Sequence, residues 1–264
     1  MTAFLRYIGI DYSGAEMPEA SLKGLRIYGA EGDAVPIEIL PPSSPRKYWT
    51  RRGIAEWLVE NLAQDLPTLV GIDHGFSFLL RYFETHGLAP DWPAFLDDFQ
   101  RHWPTDERST YVDFVRKGVC GNGAARAGDA RWRRLTELRT RRAKSVFHFD
   151  VSGSVAKSTH AGIPWLRFIR IALGQRVHFW PFDGWEIPPG RSAIVEVYPA
   201  LWSHVFARAD RNDHQHDAYS VAAWLSRADR SGALAAALRP SLAPSERATA
   251  EIEGWILGVS AAEI

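Results

Sequence analysis

The chain has little cysteine, no long apolar run and no net charge, and each of these features excludes a class of protein. Cys120 is the only thiol among 264 residues, so neither an intramolecular disulfide nor a cysteine-rich zinc site can form. The 31 basic and 31 acidic residues cancel. This balance argues against a protein that coats nucleic acid or a membrane surface, although it permits a local basic patch.

Several targeting and catalytic signals are also missing from the sequence. The residues before Arg6 and Asp11 lack the apolar core of a signal peptide, and no run approaches the length of a membrane span. Together with the lone thiol, this predicts a cytoplasmic protein without a membrane partner. Walker and dinucleotide-binding motifs are absent, and Ser13 does not lie in the Gly-x-Ser-x-Gly turn of a serine hydrolase.

Apolar runs and turn residues in the first third of the chain predict an α/β fold. A short strand from Tyr7 to Ile10 ends at Asp11, and two more strand-like runs flank a turn at residues 31–33, so the first three strands should form an antiparallel meander. The apolar spacing of residues 50–63 predicts an amphipathic helix. The run TLVGID then predicts a fourth strand that stops at Asp73.

The rest of the chain predicts further strands and helices around a less regular segment. Strand-like runs occur at VHFWPF and SAIVEVYP, and helices are predicted over residues 163–173, 199–209 and 213–228, followed by a helical tail. Between about residues 90 and 149, prolines, glycines and charges interrupt short helical pieces. We therefore expect one domain spanning residues 1–264, with a helical, basic insertion at about 90–149.

Acidic residues stand at the ends of the predicted elements. Asp11 follows the first strand, Asp73 follows the fourth, and Glu196 lies inside the apolar run SAIVEVYP. Each aspartate could simply cap the helix that follows it. Glu196 is harder to explain in this way, because a carboxylate in an apolar strand is costly to bury unless it pairs with an arginine or binds a cation.

The stretch NDHQHDAYSVAAWL adds two carboxylates and two imidazoles at the start of a predicted helix. Asp213 and Asp217 are four residues apart, and His214 and Asp217 are three apart, so either pair shares one helix face. One interpretation is helix capping, with the histidines as surface imidazoles. The other is a metal site, in which His214 and His216 would add nitrogen ligands that favour Mn²⁺ or Zn²⁺.

The joint arrangement of these acids favours the metal interpretation. Ligands of α/β sheets bind at the carboxyl ends of strands, and acids gathered there would repel one another without a cation. Hard oxygen ligands select Mg²⁺ or Mn²⁺. Two such ions can clamp the attacking and leaving oxygens of a phosphodiester.

The segments GIDYSGA, GIDHGFSF, VEVYPALW and DHQHDAYSVAAWL, in this order, resemble the ribonuclease H-like fold. More narrowly, the chain resembles the domain-of-unknown-function family 429, a set of predicted nucleases related in fold to Holliday-junction resolvases. The resemblance implies that Asp11 bridges two metal ions, that Asp73 and Asp217 are the fourth-strand and final-helix acids, and that Asp213 or His214 completes the helix pair. Glu196 matches the late-strand motif. The sequence departs from the pattern at residues 74–75, where His-Gly replaces a small residue and proline.

The sequence thus predicts a nuclease that depends on Mg²⁺ or Mn²⁺ and acts on DNA or RNA. The predicted catalytic residues are the four acids Asp11, Asp73, Asp217 and Glu196. The predicted metal ligands are Asp11, Asp73, Asp213, His214 and Asp217. The predicted phosphate contacts come from the basic segment, namely Arg131, Arg133, Arg134, Arg139, Arg141, Arg142 and Lys144.

Alternatives to this function stay open at the level of the sequence. The arginine run could be a solvated helix face or could pair with acids elsewhere. The chain could be a catalytically silent binding or scaffold protein that keeps the fold. A nucleotide-dependent phosphotransferase is less favoured, because relatives with this core need phosphate loops in two duplicated halves, for which one domain of this length lacks room.

Overall fold

A computed structural model describes residues 2–43, 46–140, 143–151 and 153–260 of the protein. The strands in these ranges are β1 Arg6–Asp11, β2 Arg26–Glu31, β3 Ile37–Glu38, β4 Thr68–Asp73, β5 Val177–Phe179 and β6 Ser192–Glu196. The helices are α1 Arg51–Leu62, α2 Leu80–His86, α3 Trp92–His102, α4 Val112–Arg116, α5 Leu135–Leu138, α6 Ala156–Leu173, α7 Asp213–Ser231, α8 Ala233–Ala237 and α9 Pro244–Glu253.

The six strands form one mixed sheet in the order β3-β2-β1-β4-β6-β5. The pairs β1–β2 and β2–β3 are antiparallel, whereas β4 runs parallel to β1, and β6 runs parallel to both β4 and β5. The predicted α/β architecture, with an antiparallel meander followed by parallel strands and flanking helices, is therefore confirmed.

The sheet separates two hydrophobic layers, because successive strand residues point to opposite faces. Ile8 and Ile10 of β1 pack on one face in a cluster that includes residues of α1, α3 and α6. Tyr7 packs on the other face in a cluster that includes Val221 and Leu225 of α7. The odd-numbered residues of β1, which include Asp11, therefore share the face covered by α7.

Two glycines allow α7 to lie directly on this second face. A Cβ atom at Gly9 of β1 would lie 2.2 Å from the carbonyl oxygen of Ala218, and one at Gly71 of β4 would lie 2.7 Å from Val221 Cγ1. Any larger residue would push the helix away from the sheet, since packed interiors have no room to absorb such an overlap. This close approach sets the start of α7, which carries Asp217 one turn before Val221, over the ends of β1 and β4.

Two predicted helices differ from the structure, for different physical reasons. Residues 199–209 form two single 3₁₀ turns, Pro199–Leu201 and Ser203–Val205, instead of a helix. Trp202, between them, stacks on Trp224 of α7 with ring centroids 3.9 Å apart, which holds the chain in a bend. Helix α6 begins at Ala156, seven residues before the predicted start, because a polar first half hides its helical pattern.

The segment between β4 and α6 packs into the same core as the sheet. Phe95 and Phe99 of α3, Trp103 and Phe147 belong to the cluster that contains Ile8. In the described part of this segment the helices are α2, α3, α4, α5 and a 3₁₀ turn at Gly123–Arg126. The described helices include none with an apolar stretch long enough to span a bilayer.

Candidate active site

The carboxyl ends of β1, β4 and β6 open into one cavity of about 370 Å³. Asp11 and Asp73 are register partners across β1 and β4, and Glu196 is the partner of Ile72, one residue before Asp73. Three residues at the start of α7 also line the cavity, namely Asp213, His214 and Asp217. The structure thus brings every acid selected from the sequence to the edge where α/β sheets bind ligands.

Asp73 is the least compensated acid of this cavity. Burial raises the pKa of Asp73 well above its ordinary value, and the carboxylates of Asp11, Asp217 and Glu196 raise it further. No hydrogen bond or ion pair from the described residues offsets these effects. A cation placed here would remove the repulsion that the protein itself leaves in place.

Asp11 is almost fully buried, with 6% of its surface exposed, and is held by His214. Its Oδ2 lies 2.7 Å from Nδ1 of the imidazole. Burial raises the pKa of Asp11 to about 6, although this hydrogen bond acts in the opposite direction. The hydrogen bond to Asp11 raises the pKa of His214. Because a carboxylate accepts, Nδ1 donates, and in the neutral form of the ring the lone pair lies on Nε2. This is the tautomer in which a carboxylate-oriented histidine can bind a metal ion.

Glu196 belongs to a buried ion-pair network rather than to the group of uncompensated acids. Arg134 reaches it with two bonds, Nη2 to Oε1 at 2.5 Å and Nη1 to Oε2 at 2.8 Å, and its Nε also bonds Glu137 at 2.8 Å. The backbone N–H of Phe76 donates to Oε2 of Glu196 at 3.1 Å. Of the two explanations for a carboxylate inside this strand, the contacts support pairing with an arginine.

Asp213 and His216 contribute less to the cavity than their spacing suggested. The N-cap of α7 is Asn212, whose side chain accepts from the N–H of Gln215 at 3.0 Å. Under the capping interpretation, therefore, the cap is Asn212 and not Asp213. The Asp213 side chain is 80% exposed and pairs with Arg208 at 2.6 Å. His216 bonds a loop carbonyl through Nε2 and does not line the cavity.

Several of the arginines predicted to form a basic surface instead contact groups within the protein. Arg134 is 1% exposed in its ion-pair network and Arg139 is 8% exposed beside Glu246, so neither can contact an external phosphate backbone without breaking these contacts. Arg133 donates to backbone carbonyls, including that of Ala143 at 2.8 Å. Pairing with internal acceptors, the alternative to phosphate contacts, therefore accounts for these three arginines.

The remaining predicted phosphate contacts divide into three groups. Arg131 is exposed and pairs with Asp129 two residues earlier at 2.8 Å. Lys144 lines the cavity. Arg141 and Arg142 lie outside the described residues.

The start of α6 also lines the cavity, which the sequence pattern did not predict. Ser154 and Ser158 form part of the wall, and the start of an 18-residue helix carries a partial positive charge. The N–H of Ala156 already donates to Oγ of Ser154 at 3.1 Å. Gly14, three residues after Asp11, permits this arrangement, because a Cβ there would lie 2.0 Å from the carbonyl oxygen of Lys157. Gly14, in the segment DYSG, was the sequence signal from which this close contact could have been predicted.

The donor set fits a hard divalent cation, although the ligands are not yet gathered around one point. No three His, Cys, Asp or Glu side chains of the described ranges are close enough to hold an ion together. The oxygens of Asp11, Asp73 and Asp217 are nevertheless the donors that Mg²⁺ and Mn²⁺ prefer. Burial raises the pKa of all three, and neighbouring carboxylates raise it further.

We expect Asp73→Asn to stabilise the cation-free protein at pH 7. A carboxylate whose pKa is raised on folding holds its proton more tightly in the native state, so stability falls as pH rises from about 4 through the raised pKa. The variant should therefore exceed wild type in free energy of unfolding by at least about 1 kcal/mol at pH 7, with little difference near pH 4. Urea unfolding in EDTA measures this. The exposed Asp213→Asn is the control, and an equal gain there would contradict the account.

Glu196→Gln should destabilise the protein strongly, because it removes the charge that a buried guanidinium requires. Breaking one partner of such a pair costs about 3–5 kcal/mol. Thermal and urea unfolding test this against Glu186→Gln, which disrupts the exposed pair with Arg239 at 3.2 Å and should leave stability nearly unchanged. A fully stable Glu196→Gln would mean that Glu196 is not a structural residue.

Comparisons with known proteins gave no match to this chain. Neither the protein-family models, nor the curated proteins, nor the solved structures contained a significant relative.

Proposed function

We propose that this protein is a divalent-metal-dependent phosphodiesterase with a ribonuclease H-like fold that hydrolyses nucleic-acid phosphodiester bonds. The observation that carries the proposal is the uncompensated carboxylate of Asp73, surrounded by the charges of Asp11, Asp217 and Glu196. A protein gains nothing in stability from such an arrangement. Such an arrangement of carboxylates does provide a binding site for a cation.

Three aspartates would hold the cation. Asp11 and Asp73 come from adjacent parallel strands. Asp217 comes from α7, which packs closely on these strands because Gly9 and Gly71 have no side chains. His214 could add Nε2, because Asp11 occupies Nδ1. When bound, Mg²⁺ or Mn²⁺ supplies Lewis-acid stabilisation of the negative charge that develops on a phosphate.

The wall of the cavity also offers groups that suit an anion. Lys144, Ser154 and the first turn of α6 lie at the same cavity as the aspartates, and helix N-termini attract phosphate oxygens. Acids that bind a cation and donors that bind a phosphate therefore share one space. This combination favours phosphoryl chemistry over a purely structural metal site.

The order of elements supports the fold part of the proposal. Three antiparallel strands, a helix, a fourth strand parallel to the first and a late helix carrying Asp217 follow one another along the chain. This is the order on which the resemblance to ribonuclease H-like nucleases rests. Glu196 has a different role in this proposal, since it already pairs with Arg134.

The test is metal-dependent cleavage of labelled single-stranded and duplex DNA and RNA. The wild-type chain should cut at least one of these with Mn²⁺ or Mg²⁺ and none in EDTA. Asp217→Asn should lower the rate at least about 100-fold while the protein stays folded. Asp213→Asn, at the exposed neighbouring position, should retain most activity.

Two outcomes would contradict the proposal. Full activity of Asp217→Asn would remove that carboxylate from the site. Absence of both cleavage and Mn²⁺ binding in the wild type would identify the chain as a silent binding or scaffold protein that keeps the fold.

A further inference from the structure

The short edge strand β3 presents one carboxylate to the face of the sheet that α7 covers. Glu38 is the register partner of Tyr28, which packs against α7. Directly opposed residues of neighbouring antiparallel strands share a face, so Glu38 lies on the side of α7 as well. The other residue of β3, Ile37, is 70% exposed. The strand therefore buries little apolar surface, and the polar contacts of Glu38 distinguish it.

The two oxygens of the Glu38 carboxylate join two different elements. Oε1 accepts from Nη1 of Arg26 in β2 at 2.9 Å, and Oε2 accepts from Nε2 of Gln215 in the first turn of α7 at 2.8 Å. Gln215 also forms a reciprocal cap with Asn212. Its Oε1 accepts the N–H of Asn212 at 3.1 Å, and the Asn212 side chain accepts the N–H of Gln215 at 3.0 Å. Glu38 therefore fastens the capped start of α7 to the sheet.

Both ends of this connection lie beside His214. On the helix side, Gln215 is its neighbour in sequence. On the sheet side, Nε of Arg26 donates to the carbonyl oxygen of Lys23 at 3.0 Å, and a Cβ atom at the following Gly24 would lie 3.4 Å from Cε1 of the imidazole. The same carboxylate thus holds the helix turn that carries His214 and, through the guanidinium, the loop that contacts its ring.

The position of the His214 ring depends on these contacts, because burial does not fix it. Its side chain is 51% exposed, and its Nδ1 lies 2.7 Å from Oδ2 of Asp11. A shift of the helix turn by about 1 Å away from β1 would break this hydrogen bond. Residues that orient a metal-binding histidine without touching the ion change the metal affinity by about 10–100-fold.

We propose that Glu38 is a positioning residue for the cation site, which holds the start of α7 so that His214 stays bonded to Asp11 and keeps Nε2 available to the ion. The inference rests on the proposed metal-dependent function for the role of the ion. The orientation of His214 itself is a property of the cation-free chain, so it can be measured without metal or substrate.

Long-range ¹H–¹⁵N NMR of the histidine rings measures which nitrogen of His214 carries the proton. The full chain is kept in EDTA at alkaline pH, so that the ring is neutral. A hydrogen bond from Nδ1 to Asp11 requires the Nδ1–H tautomer. The wild type should show this tautomer, and His214→Gln assigns the signal by its loss.

Glu38→Gln replaces two acceptors by one acceptor and one donor, so one of its two donor partners then faces an NH₂ group. The variant should shift His214 toward the Nε2–H tautomer and weaken Mn²⁺ binding about 10-fold. Glu19→Gln is the matched control, because Glu19 has the same 21% side-chain exposure as Glu38 and pairs with Arg52 at 3.2 Å. The control should change neither quantity.

A second substitution separates positioning from a general loss of stability. In Glu38→Gln with Gln215→Glu, the amide introduced at position 38 accepts from Arg26 and donates to the new carboxylate, which also accepts the cap N–H as glutamate does in a capping box. The double variant should therefore restore the Nδ1–H tautomer. Gln215→Glu alone places two carboxylates together and should shift the tautomer as Glu38→Gln does, so it provides the test if Glu38→Gln does not fold.

Several outcomes would overturn the inference. These are a wild type without the Nδ1–H tautomer of His214, an unchanged tautomer in the single variants, and a double variant that stays shifted. An equal shift in Glu19→Gln would also overturn it, because the effect would then not depend on Glu38. A wild type that shows the Nδ1–H tautomer and binds no Mn²⁺ would contradict the proposed phosphodiesterase, and the tautomers of the variants would still decide whether Glu38 positions His214.

Discussion

The carboxylates of Asp11 and Asp73 are held in register on neighbouring parallel strands, and helix α7 adds Asp217 to the same space. The packing of α7 on the sheet enforces this proximity, because Gly9 and Gly71 have no side chains that would hold the helix away from the strands. Burial raises the pKa of Asp73, and the repulsion from the neighbouring carboxylates raises it further. Other interactions in the fold must offset this unfavourable electrostatic free energy. The proposed function makes use of the negative charge that causes it.

The adjacent network around Arg134 contains carboxylates that are paired with donors of the protein itself. Glu196 receives two guanidinium bonds and a backbone N–H. Glu253, from α9, accepts the N–H groups of Leu80 and Leu135, so one carboxylate serves the starts of both α2 and α5. Against this background of satisfied acids, Asp73 is buried without any such partner among the described residues.

Much of the architecture could be predicted from the sequence, because it depends on local patterns. The strands that end at Asp11 and Asp73 are short apolar runs closed by an acid, and parallel pairing places their ends together. The 3₁₀ turns near Trp202 could not be predicted in the same way. Their apolar spacing is helical, and stacking on Trp224, a contact distant in sequence, decides their conformation.

The acidic residues of the site could be predicted from the sequence, but the partners of its arginines could not. Spacing selects Asp11, Asp73 and Asp217, but it cannot tell whether an arginine faces solvent or a buried glutamate. Arg134 and Glu196 are 62 residues apart, so their pairing depends on how the segment before α6 folds back over β6. The same limit applies to Asp213 and Asn212, where a difference of one residue decides which side chain caps α7.

Diffraction from crystals soaked in Mn²⁺ tests the central claim most directly, since anomalous scattering locates the ion independently of the protein atoms. The account predicts a peak between Asp11, Asp73 and Asp217, with the three carboxylates drawn closer together than in the cation-free chain. Crystals of Asp73→Asn should lose that peak. A cavity without Mn²⁺ at saturating concentration, or an ion bound only by Asp213 and surface histidines, would contradict the account.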